Sequence, residues 1–282
     1  MATLIIGKTG QLARALAKRR PGAIALGRDE LDLAKPIRDL PEADGVILAA
    51  AYTDVDKAES EPELAERING RAVDEIANIC ATRQIPFVHV STDYVFSGEQ
   101  SRAWRPEDMT KPLNAYGRSK LSGERAIARS GANAAILRTS WVFDATGNNF
   151  VTTMLRLAES RKRLSVVDDQ IGRPTYAGHL ADACLAALHG LGFGKSAGLY
   201  HVSNNGVPVS WAGFAKAIFA ALDIETEVAP IPASDYPTLA PRPKWSVMDV
   251  SDFETTFGYE LPDWREGLAT ALAERMPIRG SR

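Results

Sequence analysis

Tyr116 and Lys120 stand four positions apart in the run Asn114-Ala115-Tyr116-Gly117-Arg118-Ser119-Lys120, a spacing that puts a phenol and an ammonium on one face of a helix. A phenol titrates near ~10, so at neutral pH it is a reluctant proton donor or acceptor unless something makes its anion less costly. An ammonium held about 4–6 Å away does this, by roughly 3–4 kcal/mol at an effective dielectric of about 20. The expectation is a proton-transfer pair in which Lys120 draws the Tyr116 phenol toward working pH. Spacing alone is thin support. Seven tyrosines and ten lysines scattered over 282 positions would give about 0.25 such pairs by chance, and a surface helix with a solvated lysine has the same pattern. The elements around the pair must decide.

The chain opens on the apolar run Leu4-Ile5-Ile6, followed by Gly7-Lys8-Thr9-Gly10-Gln11-Leu12-Ala13 and a helical stretch to Lys18. A strand that turns through glycines into a helix aims backbone N–H groups and the positive helix end at a phosphate. The spacing Gly-x-x-Gly-x-x-Ala has Ala13 where a third glycine is usual, a position whose task is close helix-on-strand packing. Further apolar runs predict strands over 23–26, 46–49, 87–90, 136–137 and 164–167, with helical patterns between most of them. Such alternation implies an α/β fold with a doubly wound parallel sheet.

In such sheets ligands bind beyond the carboxyl ends of the strands. Those ends carry Gly7, Arg28, Ala50-Ala51-Tyr52-Thr53, Ser91-Thr92-Asp93-Tyr94, Thr139-Ser140-Trp141 and Asp168-Asp169-Gln170. Core packing gives no reason for the polar and aromatic exceptions to gather on one rim; an active site does. Arg28 follows the second strand, where an arginine suits a 2′-phosphate and an acid suits a free 2′-hydroxyl. It favours NADP over NAD, while Asp29, Glu30 and Asp32 nearby keep the ribose hydroxyls of NADH as an alternative. Ala49, Ala50 and Ala51 let a cofactor pass close to the backbone.

Composition excludes several classes. The chain is 45% hydrophobic and 24% charged with a net charge of −2, an ordinary globular balance with no field to recruit nucleic acid or an anionic membrane. It begins directly in a strand pattern without an apolar leader, and no run approaches ~18 apolar residues, so a cytoplasmic protein is expected. Cys80 and Cys184 fall on predicted helices without metal-type spacing and read as buried thiols. His89, His179, His189 and His201 show no ligand spacing, and His89, inside a strand, reads as a core group. No metal site is expected.

Regular alternation ends near residue 145. The expected organisation is a dinucleotide-binding (Rossmann) domain over 1–147 and a smaller, loop-rich α/β substrate-binding domain over 148–282, with about 164–190 returning to the Rossmann sheet. Helices are predicted over 150–161, 177–190, 210–222 and 262–276, with Ser210 as an N-cap, Pro262 in a first turn and a frayed end at 279–282.

The motifs Gly-Lys-Thr-Gly-Gln-Leu, Ala-Ala-Ala-Tyr-Thr-Asp-Val-Asp-Lys-Ala-Glu (49–59), Ser-Thr-Asp-Tyr-Val-Phe-Ser-Gly (91–98), Tyr116-Gly-Arg-Ser-Lys120, Arg138-Thr-Ser-Trp-Val-Phe143, Asp169-Gln-Ile-Gly-Arg-Pro-Thr-Tyr176 and Pro241-Arg-Pro-Lys-Trp-Ser246 together resemble the dTDP-4-dehydrorhamnose reductases, which are extended short-chain dehydrogenase/reductases. The blocks run from residue 7 to about 246 in the family's order. The resemblance implies NADPH-dependent reduction of the 4-keto group of dTDP-4-dehydro-L-rhamnose, with NADH as an alternative donor. It implies Thr92, Tyr116 and Lys120 as the catalytic set. Gly7, Thr9, Gly10, Gln11, Leu12, Asp32, Leu33 and Ala50 to Tyr52 would line the cofactor. Thr92 and Asp93, with Tyr94 beside them, would contact the sugar, and Trp141 would flank it.

The substrate's phosphates need cations, for which Arg173, Arg242 and Lys244 are the candidates, and Trp245 is placed either on thymine or as an anchor of its loop. Some relatives associate through a metal held by acids near the first helix; Arg14 and Ala15 stand there in this chain, so a monomer or weak homodimer is expected. Two further readings share the fold: another nucleotide-sugar reductase or epimerase, and a non-catalytic relative of the methionine adenosyltransferase β subunit.

Overall fold

Continuous apolar runs need cover on both faces, and the strands that carry Leu4-Ile5-Ile6 and Val46-Ile47-Leu48, Thr3–Ile6 (β1) and Gly45–Leu48 (β3), are buried at every position. The computed structural model describes residues 2–275. From β1 the chain enters α1 (Gln11–Arg19), then β2 (Ile24–Leu26) and β3. Next come the short helices α2 (Val55–Ser60) and α3 (Pro62–Glu66), a π turn at Arg67–Arg71, and α4 (Ala72–Arg83). β4 (Phe87–Thr92), α5 (Ala115–Ser130) and β5 (Ala134–Thr139) close the regular alternation.

The second half holds β6 (Val142–Phe143), α6 (Phe150–Ala158), β7 (Arg163–Val167), β8 (Ile171–Gly172), β9 (Thr175–Tyr176) and α7 (Ala177–Gly192). It continues with β10 (Gly198–His201), β11 (Val209–Ser210), α8 (Trp211–Ala220), β12 (Glu227–Ile231), α9 (Ser251–Phe257) and α10 (Trp264–Arg275). Met276 and the end at 279–282 lie outside the described residues.

A six-stranded sheet runs in the order β10-β5-β4-β3-β1-β2, and every pairing in it is parallel. One face packs Leu12, Leu16, Leu180 and Cys184 from α1 and α7; the other packs Val73, Ile76 and Cys80 from α4 with Ile127 from α5. This is the doubly wound Rossmann arrangement. A separate core gathers Phe143, Met154, Leu164, Phe214, Val228, Trp264 and Leu268 beyond the carboxyl edge of β5.

Four expectations need correction. The strand predicted at 164–167 does not return to the large sheet: β7 pairs in parallel with β12, Leu164 against Val228, and its exposed-buried alternation suits a strand covered on one side by α8. The place beside β5 is taken by β10, from a tract read as loops, with Tyr200 opposite Leu137. The predicted short strand at 136–137 extends over 134–139 because Arg138, a poor strand marker, is buried. Pro262 precedes the last helix, which starts at Trp264. Ser210 does cap α8, its hydroxyl accepting from Gly213 N–H at 2.9 Å.

Arg138 is buried because it is paired. Its guanidinium grips Glu124 of α5 at 2.9 and 2.6 Å, and Ser91 donates to the same carboxylate at 2.5 Å. The two charged side chains are 3% and 4% exposed. This pair binds α5 to the carboxyl ends of β4 and β5. Arg138→Met strands Glu124 in the interior and should lower unfolding stability by about 3–5 kcal/mol in denaturant melts, whereas Glu124→Leu combined with Arg138→Met should recover most of the loss. Additive losses in the double variant would contradict this account of the pair.

Candidate active site

The turn after β1 is built for close approach. Gly7 sits at φ +125°, where a Cβ would lie 3.1 Å from Ala50 N, so only glycine lets the turn rest on the end of β3. Gly10 precedes α1 as its N-cap with no side-chain cap, nothing stands within 4 Å of the place a Cβ would take, and Thr9 and Gly10 are exposed. The first N–H groups of α1 therefore face open space. Beside them, Gln11 donates to Val142 O at 3.5 Å, while its buried Oε1 has no partner. An uncapped helix end and an orphaned buried acceptor fit a phosphate-bearing dinucleotide. Leu12 and Leu33 are 7% exposed and belong to the core, so their side chains brace this wall. Ala49, Ala50, Ala51 and Tyr52 are half-buried along the end of β3.

At the end of β2, Arg28 projects into solvent with its Nε 3.5 Å from Asp32 Oδ1. Glu30 folds back so that its carboxylate accepts from Gly27 N–H and from Lys8 Nζ, both at 2.8 Å. An exposed guanidinium and a carboxylate thus stand together at the strand end where an adenosine ribose lies in this fold.

The predicted proton-transfer residues meet where β4 ends and α5 begins. Asn114 caps α5, accepting from Gly117 N–H at 2.8 Å. Gly117 has no room for a side chain, since a Cβ would fall 2.2 Å from Tyr94 O. The first turn of α5 is thereby pressed onto the end of β4, and the Tyr116 phenol is brought beside the Thr92 hydroxyl, which favours its anion. Thr92 also donates to Asp93 Oδ1 at 3.0 Å and accepts from Tyr94 N–H at 3.2 Å. Tyr94 meets Tyr116 edge to face at 5.6 Å.

Electrostatics depart from expectation at this point. Burial pushes the Tyr116 phenol up to about 12, against the lowering by Thr92 and with a smaller push from Asp93. Lys120 is not among the influences on the phenol here; loss of solvent dominates. The lysine is itself buried, 1% exposed, and lowered to about 8 by burial, with Glu124 opposing. Its Nζ donates to Val90 O at 2.7 Å and lies 3.2 Å from His89 Nε2. His89 was read as a core group, and it is buried, but it faces the lysine. Its single-residue offset on β4 was the only signal. Asp93, 2% exposed, is raised to about 6 by burial, opposed by hydrogen bonds with Ser246 and Thr92.

Trp141 holds a left-handed backbone, φ +50°, which is uncommon for a bulky residue. Its indole stacks on Trp211 at 3.6 Å and lies so close over Gly172 that a Cβ there would meet it at 2.8 Å. Trp211 was missed, because a tryptophan at the start of a helix is indistinguishable from core in the sequence.

The basic candidates separate. Arg173 is half-buried, donates to Met248 O at 3.3 Å and is turned toward Asp249, Asp263 and Glu254. Arg242 is engaged by Asp56 through two bonds of 3.2 and 2.7 Å. Lys244 is exposed on a cavity of about 600 Å³ shared with Gly98, Asp169, Ile171 and Trp245. Trp245 anchors its loop, its Nε1 donating to Arg102 O at 2.7 Å and its carbonyl accepting from Trp104 Nε1 at 3.0 Å. Among the described residues, no group of three or more His, Cys, Asp or Glu is placed to hold a metal, and no helix is long and apolar enough to cross a membrane.

The parallel sheet, the glycine turn and a Tyr/Lys pair beside a strand-end threonine define a short-chain dehydrogenase/reductase. The RmlD substrate binding domain family matches residues 1–276. The chain is 43% identical to a dTDP-4-dehydrorhamnose reductase of Sinorhizobium fredii, covering 94% of this chain and 95% of the relative. It is 39% identical to that of Escherichia coli K12, over 97% and 98%. A dTDP-4-dehydrorhamnose reductase of Bacillus anthracis solved in complex with NADP superimposes with a TM-score of 0.89 at 34% identity, over 97% of this chain and 100% of that one. A UDP-glucose 4-epimerase, at 17% identity and a TM-score of 0.81, shares the fold alone. The chain belongs to the dTDP-4-dehydrorhamnose reductase family.

Lys120 supplies a stability test with a definite sign. Its folded pKa of about 8 lies below the ordinary 10.5, so between these values the unfolded chain holds the extra proton. The burial penalty is full below about pH 8 and is relieved as pH rises toward about 10.5. Lys120→Met removes the penalty, on the order of 3 kcal/mol. Its melting temperature relative to the parent protein should therefore be raised and level below about pH 8 and fall steadily between about pH 8 and about pH 10.5. A pH-independent difference would mean that Lys120 is not desolvated.

Proposed function

We propose that this protein reduces the 4-keto group of dTDP-4-dehydro-L-rhamnose to the hydroxyl of dTDP-L-rhamnose, with NADPH as hydride donor. The observation that carries the reading is the first turn of α5 pressed onto the end of β4, which sets the Tyr116 phenol beside Thr92, with a buried lysine one turn further along α5. The dinucleotide supplies the hydride. What the chain contributes is binding, orientation and a proton.

The open N-terminus of α1 at Gly10 and Gln11 takes the pyrophosphate, Arg28 the 2′-phosphate, and Ala49 to Tyr52 the flank. The exposed Arg28 would exchange its Asp32 contact for the phosphate, and Asp32 or Glu30, released from Arg28 and Lys8, would accept from a bare ribose, which is the basis for weaker use of NADH. Lys120 spends two of its three N–H donors on Val90 and His89; the third is left for a nicotinamide ribose hydroxyl.

A phenol held up to about 12 is neutral at working pH, the state a donor needs when the substrate oxygen becomes an alkoxide. The Thr92 hydroxyl, beside the phenol, hydrogen-bonds the same oxygen as charge develops. Asp93 and Tyr94 border the sugar, and Trp141 gives it a flat wall. The cations for the diphosphate are Arg173 and the exposed Lys244, where Trp245 braces the loop. An epimerase would share Thr92, Tyr116 and Lys120 but recycles a held NAD, against which Arg28 argues, while the intact Thr92, Tyr116 and Lys120 argue against a non-catalytic binding subunit. The reading places the reaction in the cytoplasm, with the chain acting on a small nucleotide-sugar as a monomer or weak homodimer.

NADPH consumption with dTDP-4-dehydro-L-rhamnose, and identification of the sugar formed, tests the activity. Tyr116→Phe should leave NADPH affinity within a few fold and lower turnover by on the order of 10²-fold or more. Undiminished turnover would remove the phenol from the proton-donor role.

A further inference from the structure

Arg242 belongs to a strap that crosses between the two halves of the molecule. From the exposed Tyr236 to the buried Ser246 the chain reads Tyr-Pro-Thr-Leu-Ala-Pro-Arg-Pro-Lys-Trp-Ser, with prolines at 237, 241 and 243 that stiffen it and remove backbone donors. On one side it is tied to the second half: Ser246 N–H donates to Ile171 O and Ile171 N–H donates to Lys244 O, both at 2.8 Å. On the other it is tied to the Rossmann half at four points. Asp56 Oδ1 accepts from Ala240 N–H at 2.9 Å, and the same carboxylate holds the Arg242 guanidinium. Asn114 donates to Pro241 O at 2.8 Å. Trp245 is held between Arg102 O at 2.7 Å and Trp104 Nε1 at 3.0 Å, with Ser246 next along lying beside Asp93. Gly98 lets the strap pass so close that a Cβ there would meet Pro243 at 2.6 Å.

The attachment points are not arbitrary. Asp56 lies in the first turn of α2, just after the Ala49 to Tyr52 wall. Asn114 is the cap of the helix that carries Tyr116, and Asp93 follows Thr92. A two-pronged guanidinium–carboxylate contact is geometrically specific, and the partly enclosed pair, with side chains 23% and 36% exposed, leaves the Arg242 charge already answered.

We infer that Asp56 and Arg242 form a latch that holds the 236–246 strap against the proton-donor helix, and that both are positioning residues for the nucleotide-sugar. Arg242 is thus not the cation of the substrate diphosphate. Its role is to fix the strap whose Lys244 faces the neighbouring cavity. This rests on the proposed reductase activity only for its kinetic test.

Asp56→Ala, Arg242→Gln and the double variant should be compared with the parent protein. Each single change is expected to raise KM for the keto-sugar about tenfold, with kcat within about threefold and NADPH affinity within about twofold; the double should be no worse than Asp56→Ala alone, because Arg242 acts on the strap through Asp56. A double variant whose KM rises by the product of the two, about a hundredfold, would show Arg242 acting independently on the substrate and would overturn the latch. A general structural role would lower kcat and NADPH affinity as well, and would equally overturn it.

Hydrogen exchange over 236–246 gives a reading that needs no substrate. The Ala240 amide, buried and bonded to Asp56, should exchange at least about tenfold faster in both single variants, and unchanged exchange would sink the proposal. If the parent protein turned over no dTDP-keto-sugar, the activity would be wrong while the exchange result still decided the latch.

Discussion

Everything at the site depends on the first turn of α5 being pressed against the end of β4. The contact is possible because residue 117 is glycine, because Asn114 stops the helix at the right residue, and because Glu124, two turns on, is locked to Arg138 and Ser91 under the strand ends. Given that docking, a threonine hydroxyl meets a phenol and a lysine is driven into the interior. The buried ion pair serves as a fixed pin more than as a source of stability, since two charges withdrawn from water gain little net energy from each other.

The electrostatic outcome is a division of labour. Both Tyr116 and Lys120 are shifted toward their neutral forms by burial, the phenol upward and the ammonium downward. An acid catalyst for a ketone reduction must keep its proton until hydride arrives, and desolvation of the phenol does this directly. Lys120 is held by Val90 and His89, so its direction is set before any ligand arrives. In this state its influence on the phenol is secondary to the solvent that both groups have lost.

What could be read from the sequence was local. The Tyr/Lys spacing, the glycine turn and the polar strand ends are contained within a few residues each, and the parallel sheet follows from alternation. The parts that escaped depend on distant partners. Asp56 and Arg242 are 186 positions apart, and neither residue type signals the other. β10 is a four-residue strand beginning with glycine, visible only once β5 is known to have a free edge. β7 looked like a Rossmann strand because a short apolar run does not say which sheet will take it. His89 and Trp211 have core-like residue types in core-like positions, and only their neighbours give them a place beside the site.

The central claim is that Tyr116 stays a neutral phenol until the substrate oxygen takes its proton. Ultraviolet difference titration of the parent protein against Tyr116→Phe isolates that one tyrosine. The account predicts no tyrosinate band assignable to Tyr116 up to about pH 10 in the free protein, in keeping with a phenol pushed up to about 12. A band growing in between about pH 6 and about pH 8 would show that the lysine, not burial, governs the phenol, and would contradict the account.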